Sequence, residues 1–127
     1  MQKILVVEDT KSDQALISGL LKTIPGSEVI AVADGKSAIA WLTANKPPNL
    51  IFLDIILPDM TGYDLCREIR TNLGLDTVPI IFCSTKSEEY DKFWALRQGG
   101  NAYLTKPYLP NDLVETAKNY LVKPLKP

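Results

Sequence analysis

The stretch Leu-Ile-Phe-Leu-Asp-Ile-Ile-Leu-Pro-Asp-Met-Thr-Gly, residues 50–62, decides how this chain folds. It opens with an apolar run that lacks the alternation of polar and apolar residues expected of a strand with one wet face. Such a run is typical of a parallel strand that is covered on both faces. Asp54 interrupts the run, and a buried carboxylate without a partner is costly. Asp54 is therefore the first candidate for a chemical role.

Similar apolar runs lie on either side of this stretch, with segments of helical periodicity between them. Strands are predicted at residues 3–7, 28–33, 50–53, 78–83 and 102–104. Five helices are predicted between and after these strands. The apolar residues of the first three are Leu16, Leu20, Leu21 and Ile24, then Ala38, Ile39 and Leu42, then Leu65 and Ile69. The fourth helix is predicted over residues 88–98 and the fifth over 111–122, with Leu113, Ala117 and Leu121 on one side. The third helix is expected to begin at Thr61, with Asp64 completing a variant capping box.

This alternation predicts an α/β fold in which right-handed crossovers join parallel strands. Five strand–helix units fit the flavodoxin-like (βα)5 fold, a doubly wound parallel sheet with the strand order 2-1-3-4-5. One domain is expected over residues 1–122, followed by a short tail at 123–127 and no output domain.

The composition of the 127-residue chain narrows the range of functions. Its net charge of -1 argues against a nucleic-acid-binding domain, which normally has a basic excess. No apolar stretch approaches the ~20 residues of a membrane span, and a secretory pattern is missing, so a cytoplasmic location without membrane insertion is expected. Cys66 and Cys83 are too few for a disulfide framework and are expected to be reduced packing residues. The chain contains no histidine, so it cannot itself be a histidine kinase.

Polar side chains follow four of the five predicted strands: Glu8 and Asp9, Asp54, Ser84, and Lys106. The carboxyl ends of parallel strands meet at one edge, where ligands of open α/β sheets bind, so these side chains are expected to converge. Three carboxylates in one cleft require a cation, and a hard ion such as Mg²⁺ takes carboxylate ligands while keeping several waters. A lysine ammonium and a hydroxyl beside them suit phosphoryl transfer, with Asp54 as the nucleophile.

Each of these residues also has a simpler interpretation. Asp9 or Thr10 could cap the first helix, and taken alone Asp9 is best read as a cap. Asp34 follows an edge strand and is assigned to a turn or cap. Ser84 alone would be a loop hydroxyl, and Lys106 alone a solvated surface charge. Each of these explanations is reasonable for a single residue, but it is improbable that all of them hold at once.

The sequence closely resembles the receiver domains of two-component response regulators from Lys3 to about Val122. The matching pieces are Ile-Leu-Val-Val-Glu-Asp (4–9), Leu-Ile-Phe-Leu-Asp (50–54), Leu-Pro-Asp-Met-Thr-Gly (57–62), Pro-Ile-Ile-Phe-Cys-Ser (79–84) and Tyr-Leu-Thr-Lys-Pro (103–107). The spacings of 30 residues from Asp54 to Ser84 and 52 from Asp54 to Lys106 also match the family.

The resemblance implies a role for each matching residue. Glu8 and Asp9 would hold Mg²⁺, Asp9 more directly, with Asp54 and the backbone carbonyl of Ile56 as further ligands. Asp54 would be the phosphoacceptor, Lys106 would contact the phosphoryl group, and the bond between Lys106 and Pro107 would be cis. Ser84 and Tyr103 would form a switch pair, in which the hydroxyl moves to the phosphoryl group and the ring swings inward.

The resemblance also implies partners. These are a histidine kinase or phosphotransfer protein and a downstream target that reads the fourth helix, fifth strand and fifth helix. The protein would be a monomer or a phosphorylation-dependent dimer. Tyr90, Phe93, Trp94, Tyr103 and Tyr108 cluster in this part of the sequence. Adjacent helix positions cannot both face inward easily, so one of Phe93 and Trp94 is expected to face a partner.

Several functions compete. A phosphorylation-dependent binding switch of the stand-alone chemotaxis, phototaxis or twitching-motility kind is favoured, and the likeness is closest to pilus-motility members. A phosphatase of the haloacid-dehalogenase type is disfavoured, because Ile56 stands where its second acid is needed. A binding module that has lost phosphorylation is disfavoured by the retained Asp9, Asp54, Ser84 and Lys106. A receiver cut from a longer protein, or a phosphate sink in a phosphorelay, remains open.

Overall fold

The structure is a computed structural model of the chain, and it describes residues 1–121. Strands and helices alternate along the whole of this range. The strands are β1 (Gln2–Val7), β2 (Ser27–Val32), β3 (Leu50–Leu53), β4 (Ile80–Ser84) and β5 (Ala102–Thr105). The helices are α1 (Lys11–Leu21), α2 (Gly35–Ala44), α3 (Gly62–Thr71), α4 (Glu89–Arg97) and α5 (Pro110–Tyr120). All ten predicted elements are therefore confirmed.

The five strands form one parallel sheet in the order β2-β1-β3-β4-β5, as predicted. The register pairs Val7 with both Val32 and Leu53, so β1, β2 and β3 end at the same level. The chain reverses direction across the sheet between β1 and β3. This switch in strand order opens the crevice in which doubly wound folds bind ligands.

The helices cover the two faces of the sheet and bury two apolar cores. One core packs α2, α3 and α4 against side chains such as Leu5, Ile51 and Phe82. The other packs α1 and α5 against side chains such as Ile4, Phe52 and Ile81. Because both sheet faces are covered, the strands are continuously apolar, which is the pattern that predicted them.

The observed bounds match the predicted ones to within one residue, except at the start of β4 and the end of α5. β4 begins at Ile80 rather than at residue 78, since Pro79 lacks the N–H that a central strand donates. α5 runs from Pro110 to Tyr120 rather than over 111–122. Val122 and the predicted tail at 123–127 lie outside the described residues.

The predicted face of α1 is wrong at its first position. Ile17 and Leu21 are buried, as is Ile24 just past the helix, whereas Leu16 is 51 % exposed. Ile17 and Leu21 are four residues apart and therefore share the side that faces the sheet. Leu16 instead points to a surface cleft beside the sheet edge.

Thr61 begins α3 as predicted, and its hydroxyl accepts a hydrogen bond from the Asp64 backbone N–H at 3.1 Å. The Asp64 carboxylate pairs with Arg67 rather than with the Thr61 N–H, so among the described residues only the Thr61 half of the predicted capping box forms. Leu65 and Ile69 are fully buried, as expected for the inner face of this helix.

The buried thiols of Cys66 and Cys83 are free, as predicted. Burial raises the pKa of Cys66 to about 11 and that of Cys83 to about 12, so both are protonated packing residues at neutral pH. Within residues 1–121, no helix is long and apolar enough to cross a membrane.

Candidate phosphorylation site

The predicted site residues meet at the carboxyl edge of the sheet. Glu8 directly follows β1, Asp54 directly follows β3, Ser84 ends β4, and Lys106 directly follows β5. The backbone of this edge is tied together, because the Asp54 N–H donates to the Val7 carbonyl at 3.2 Å and the Lys106 N–H donates to the Ser84 carbonyl at 2.8 Å. Residues that are far apart in sequence thus share one small cleft.

Lys106 lies at the centre of the cleft. Its Nζ is 2.9 Å from Glu8 Oε2, 3.0 Å from Asp54 Oδ2 and 3.0 Å from Asp13 Oδ2. An ammonium has three N–H donors, so each finds one carboxylate. Burial opposes the charge of Lys106, but these carboxylates outweigh it and raise the pKa of Lys106 above its ordinary value. The following Lys106–Pro107 bond is cis, as the resemblance implies.

Asp54 is buried and held at both oxygens. Its Oδ2 accepts from Lys106, and its Oδ1 accepts from the Ile56 backbone N–H at 3.1 Å. Burial acts to raise the pKa of Asp54, but Glu8, Lys106 and the Ile56 N–H outweigh it and hold the pKa below its ordinary value. Asp54 is therefore an ionised carboxylate at neutral pH, as a nucleophile must be.

Glu8 is 1 % exposed and only half satisfied. Its Oε2 accepts from Lys106, while its Oε1 is buried without a hydrogen-bond partner among the described residues. Burial, together with the neighbouring Asp54 carboxylate, raises the pKa of Glu8 to about 7. A buried carboxylate oxygen that lacks a partner is a ready ligand for a cation.

Asp9 follows Glu8 directly and is exposed. Thr10 takes the N-cap position of α1 without a side-chain hydrogen bond, and Asp9 makes no cap contact either. Thr10 thus occupies the predicted N-cap position, although its hydroxyl does not cap, whereas Asp9 is not the cap, and its carboxylate has no hydrogen bond among the described residues. By contrast, Asp34 does cap α2, because its Oδ1 accepts from the Ser37 N–H at 2.7 Å.

The acidic side chains fit a hard cation by their chemistry. Glu8, Asp9 and Asp54 supply carboxylate oxygens, the ligands that Mg²⁺ prefers. Across residues 1–121, however, no three Asp, Glu, His or Cys side chains are already grouped to hold a metal ion. Lys106 pairs with both Glu8 and Asp54 in this conformation, so its charge neutralises carboxylates that could otherwise help to hold a cation.

Ser84 and Tyr103 are linked through the backbone of Lys86. The Ser84 side chain is fully buried, and its Oγ lies 3.4 Å from the Lys86 backbone N–H. The Tyr103 hydroxyl donates to the Lys86 carbonyl at 2.6 Å, and its ring stacks on Phe82 with 6.2 Å between centroids. The two predicted switch residues therefore hold the same loop between β4 and α4.

Gly62 supports the loop that carries Asp54. A Cβ at Gly62 would lie 2.1 Å from the Asp54 carbonyl oxygen, so only glycine fits. This close approach lets the Gly62 N–H donate to the Ile55 carbonyl at 2.7 Å. Ile56, two residues after Asp54, forms an isolated bridge with Thr61 and is 53 % exposed.

Sequence reasoning missed Asp13. This residue lies in the first turn of α1 and reaches across to the residue that follows β5. The sequence feature that could have drawn attention to it is an acidic residue in the first turn of α1, four residues after Asp9. Nothing in the sequence indicated that its partner would be Lys106. Beside this ion pair lies a cleft of about 310 Å³, lined by Asp13, Leu16, Thr85, Lys106, Pro107 and Tyr108.

The α4 aromatic patch, formed by Tyr90, Phe93 and Trp94, is more exposed than predicted. Their exposed fractions are 61, 54 and 49 %, so both Phe93 and Trp94 face outward rather than one of them. The reason lies on the inner side of α4, where the buried residues are Asp91 and Ala95. Asp91 accepts from the Tyr63 hydroxyl and from the Glu88 backbone N–H, both at 3.2 Å, so a polar contact anchors this helix.

Comparison with known proteins agrees with this geometry. Residues 4–118 match the family model of the response regulator receiver domain. The chain belongs to this family. Receiver domains are signalling modules rather than conventional enzymes, and the five-stranded fold described above is shared with chemotaxis proteins of the CheY kind.

Three similar proteins illustrate the range of the family. Protein PilG of Pseudomonas aeruginosa is 34 % identical over 119 residues, which cover 94 % of this receiver and 87 % of PilG. The structure of the Vibrio cholerae chemotaxis protein CheY4 matches with a TM-score of 0.86 and 29 % identity, over 95 % of this chain and 99 % of that one. The structure of the Mn²⁺-bound response regulator Rcp1 matches with a TM-score of 0.80 and 33 % identity, over 94 % of this chain and 91 % of that one.

Proposed function

We propose that this receiver accepts a phosphoryl group on Asp54 from the phosphohistidine of a histidine kinase or phosphotransfer protein. The observation that carries the proposal is the Asp54 carboxylate, which is buried and hydrogen-bonded to Lys106 at 3.0 Å. A carboxylate oxygen of Asp54 forms a bond to phosphorus as the P–N bond of the phosphohistidine breaks. The electron pair of that bond stays on the imidazole nitrogen, which takes up a proton from solvent.

Glu8, Asp9, Asp54 and the Ile56 carbonyl would hold Mg²⁺ in this reaction. The unpartnered Glu8 Oε1 and the free Asp9 carboxylate support this assignment. When bound, the ion neutralises the negative charge of the carboxylates and of the transferred group. Lys106 supplies a further positive charge, which can follow the developing phosphoryl oxygens because it already lies at Asp54.

Phosphorylation would change the surface through Ser84 and Tyr103. The added group brings roughly −1.5 to −2 charges and new acceptors, so the Ser84 hydroxyl gains a contact that exists only in the modified protein. A differential contact of this kind shifts the balance between two conformations. Because Ser84 and Tyr103 both hold Lys86, the β4–α4 loop is the element that would transmit the shift to the face formed by α4, β5 and α5.

We infer that this face binds a downstream target in a chemotaxis-like or pilus-motility pathway in the cytoplasm. The similarity to PilG and to the chemotaxis protein CheY4 supports this part of the proposal. The exposed α4 aromatic patch is a suitable contact surface, since aromatic side chains dominate the energetics of many interfaces.

An intact-mass measurement after incubation with acetyl phosphate and Mg²⁺ tests the chemistry. We expect one phosphoryl adduct on the parent and none on Asp54→Asn. Asp59→Asn is the matched control, because it removes a carboxylate from the same loop but lies outside the site. Turnover of many phosphomonoesters would indicate a phosphatase instead, and the absence of any adduct would indicate a binding module without phosphorylation.

A further inference from the structure

Asp13 is the outermost of the three acids around Lys106. Its side chain is 39 % exposed, whereas those of Glu8, Asp54 and Lys106 are between 2 and 9 % exposed. It lies on α1, so its contact with Lys106 joins this helix to the segment after β5 across 93 residues of sequence. The 3.0 Å distance is that of a charge-assisted hydrogen bond.

The three acids differ in what else they must do. In the proposed function, Glu8 helps to hold the cation and Asp54 carries the phosphoryl group, so neither carboxylate stays available as a partner of Lys106. Asp13 makes no other side-chain hydrogen bond or ion pair in the described part of the chain, and together with Lys106 it lines the adjacent 310 Å³ cleft. It is thus the acceptor that can stay with Lys106 throughout the cycle.

We propose that Asp13 is a positioning residue, which holds the Lys106 ammonium at the phosphoryl site while its other two partners are engaged elsewhere. Lysine has a long flexible side chain, and fixing it in one place is costly in rotamer entropy. A partner on α1 limits where the ammonium can go, so that it meets the phosphoryl oxygens in the right place. The inference rests on the proposed function.

Charge repulsion by Asp13 would change the phosphorylation rate in the opposite direction. If its charge merely repelled the incoming phosphodonor, then removing that charge would accelerate phosphorylation. Asn at position 13 separates the two ideas, because it keeps an oxygen acceptor but loses the charge. Positioning predicts that Asp13→Ala is slow and that Asp13→Asn is largely rescued, whereas repulsion predicts that both variants are fast.

The first test examines the unmodified protein by ¹⁵N NMR of the lysine ammonium groups, with the Lys106 signal assigned through Lys106→Arg. We expect the Lys106 ammonium protons to exchange with water several-fold faster in Asp13→Ala than in the parent, with Asp13→Asn between them. Asp112→Ala is the matched control, since it removes an acid from the first turn of α5 instead of α1. Unchanged exchange in Asp13→Ala would overturn the inference.

The second test measures the rate of phosphorylation by acetyl phosphate with Mg²⁺. A charge-assisted hydrogen bond that is partly exposed should be worth about a three- to tenfold decrease in Asp13→Ala. Parent-like or faster phosphorylation of this variant would overturn the role of Asp13 while leaving the proposed function intact. If the parent itself is not phosphorylated, the proposed function fails, and the NMR comparison still decides whether Asp13 holds Lys106.

Discussion

At the scale of single residues, the sequence was informative wherever chemistry requires a particular residue type. Asp54 interrupts an apolar run, and Lys106 precedes a proline in a conspicuous motif, so both could be found without a structure. Asp13 could not, because its meaning depends on a contact with a residue 93 positions away. The prediction that Leu16 is buried was wrong for a related reason. A leucine at helical spacing is expected in the core, and the sequence does not show whether it contacts the sheet or a surface cleft.

The residue Ile56 is expected to prolong the phosphorylated state. Ile56 is 53 % exposed, and its backbone N–H donates to the carboxylate of Asp54, the proposed phosphoacceptor two residues before it. We expect an apolar side chain there to hinder the water that attacks the acyl phosphate, and Asn to admit and orient that water. Autodephosphorylation of Ile56→Asn, followed after removal of the phosphodonor, should be faster by about tenfold, a change of ~1.4 kcal/mol in barrier. A rate that is unchanged or slower than in the parent would contradict this hypothesis.

The residue Gly62 is expected to tolerate no side chain. Since a Cβ would meet the Asp54 carbonyl oxygen at 2.1 Å, the backbone of the loop must move in Gly62→Ala. We expect a loss of about 2–3 kcal/mol in the free energy of unfolding, as for other forced overpacking. Gly19→Ala is the control, because a Cβ at this exposed helical position meets nothing within 4 Å and should be neutral or slightly stabilising. Urea unfolding of the two variants makes the comparison, and similar stabilities would refute the prediction.

At the scale of elements, Asp59 ties the loop after β3 to the start of α2. Its two carboxylate oxygens accept from the backbone N–H groups of Gly35 and Lys36, both at 2.9 Å. These are unpaired donors of the first helical turn, where negative charge is also favoured by the helix dipole. The sequence indicated a turn or cap at Asp34, but it gave no sign that a second carboxylate, 24 residues beyond Gly35, would also accept hydrogen bonds from the first turn of this helix.

The contribution of Asp59 to stability should depend on pH. The Gly35 N–H, aided by that of Lys36, lowers the pKa of Asp59, while the slight burial of its carboxyl acts in the opposite direction. Because the folded-state pKa lies below the unfolded value, the contribution is complete above the unfolded pKa and disappears as the pH falls through the folded one. Asp59→Ala should therefore cost about 0.5–1 kcal/mol at neutral pH and progressively less in acid. Denaturant unfolding across pH measures this, with Asp76→Ala as an exposed acid control. A deficit that stays constant into acid would exclude the mechanism.

At the scale of the whole molecule, the fold was the most predictable feature. Five apolar runs with helical segments between them leave few topologies once crossovers must be right-handed, and the order β2-β1-β3-β4-β5 follows from the family pattern. The outer surface was less predictable. The exposure of both Phe93 and Trp94 depends on α4 being anchored through Asp91, a charged residue that composition alone would place outside.

In the proposed function, the same anchoring should make α4 respond sensitively to phosphorylation. Few apolar side chains hold this helix to the sheet, so one new hydrogen bond at Ser84, worth about 1.5–3 kcal/mol with a charged acceptor, can move a substantial population. We expect the emission of Trp94 to change on phosphorylation. The chain has two tryptophans, so Trp41→Phe isolates this signal and Trp94→Phe removes it.

Ser84→Ala should separate phosphorylation from its structural effect. The variant keeps Asp54 and Lys106, so it should still take up one phosphoryl group, but it lacks the hydroxyl that distinguishes the modified state. The change in Trp94 emission should then fall to a small fraction of that in the parent, whereas the exposed control Ser87→Ala should retain it. If Ser84→Ala were phosphorylated and still showed the full change, coupling would have to run from Asp54 to α4 by a route other than the Ser84–Lys86–Tyr103 contacts.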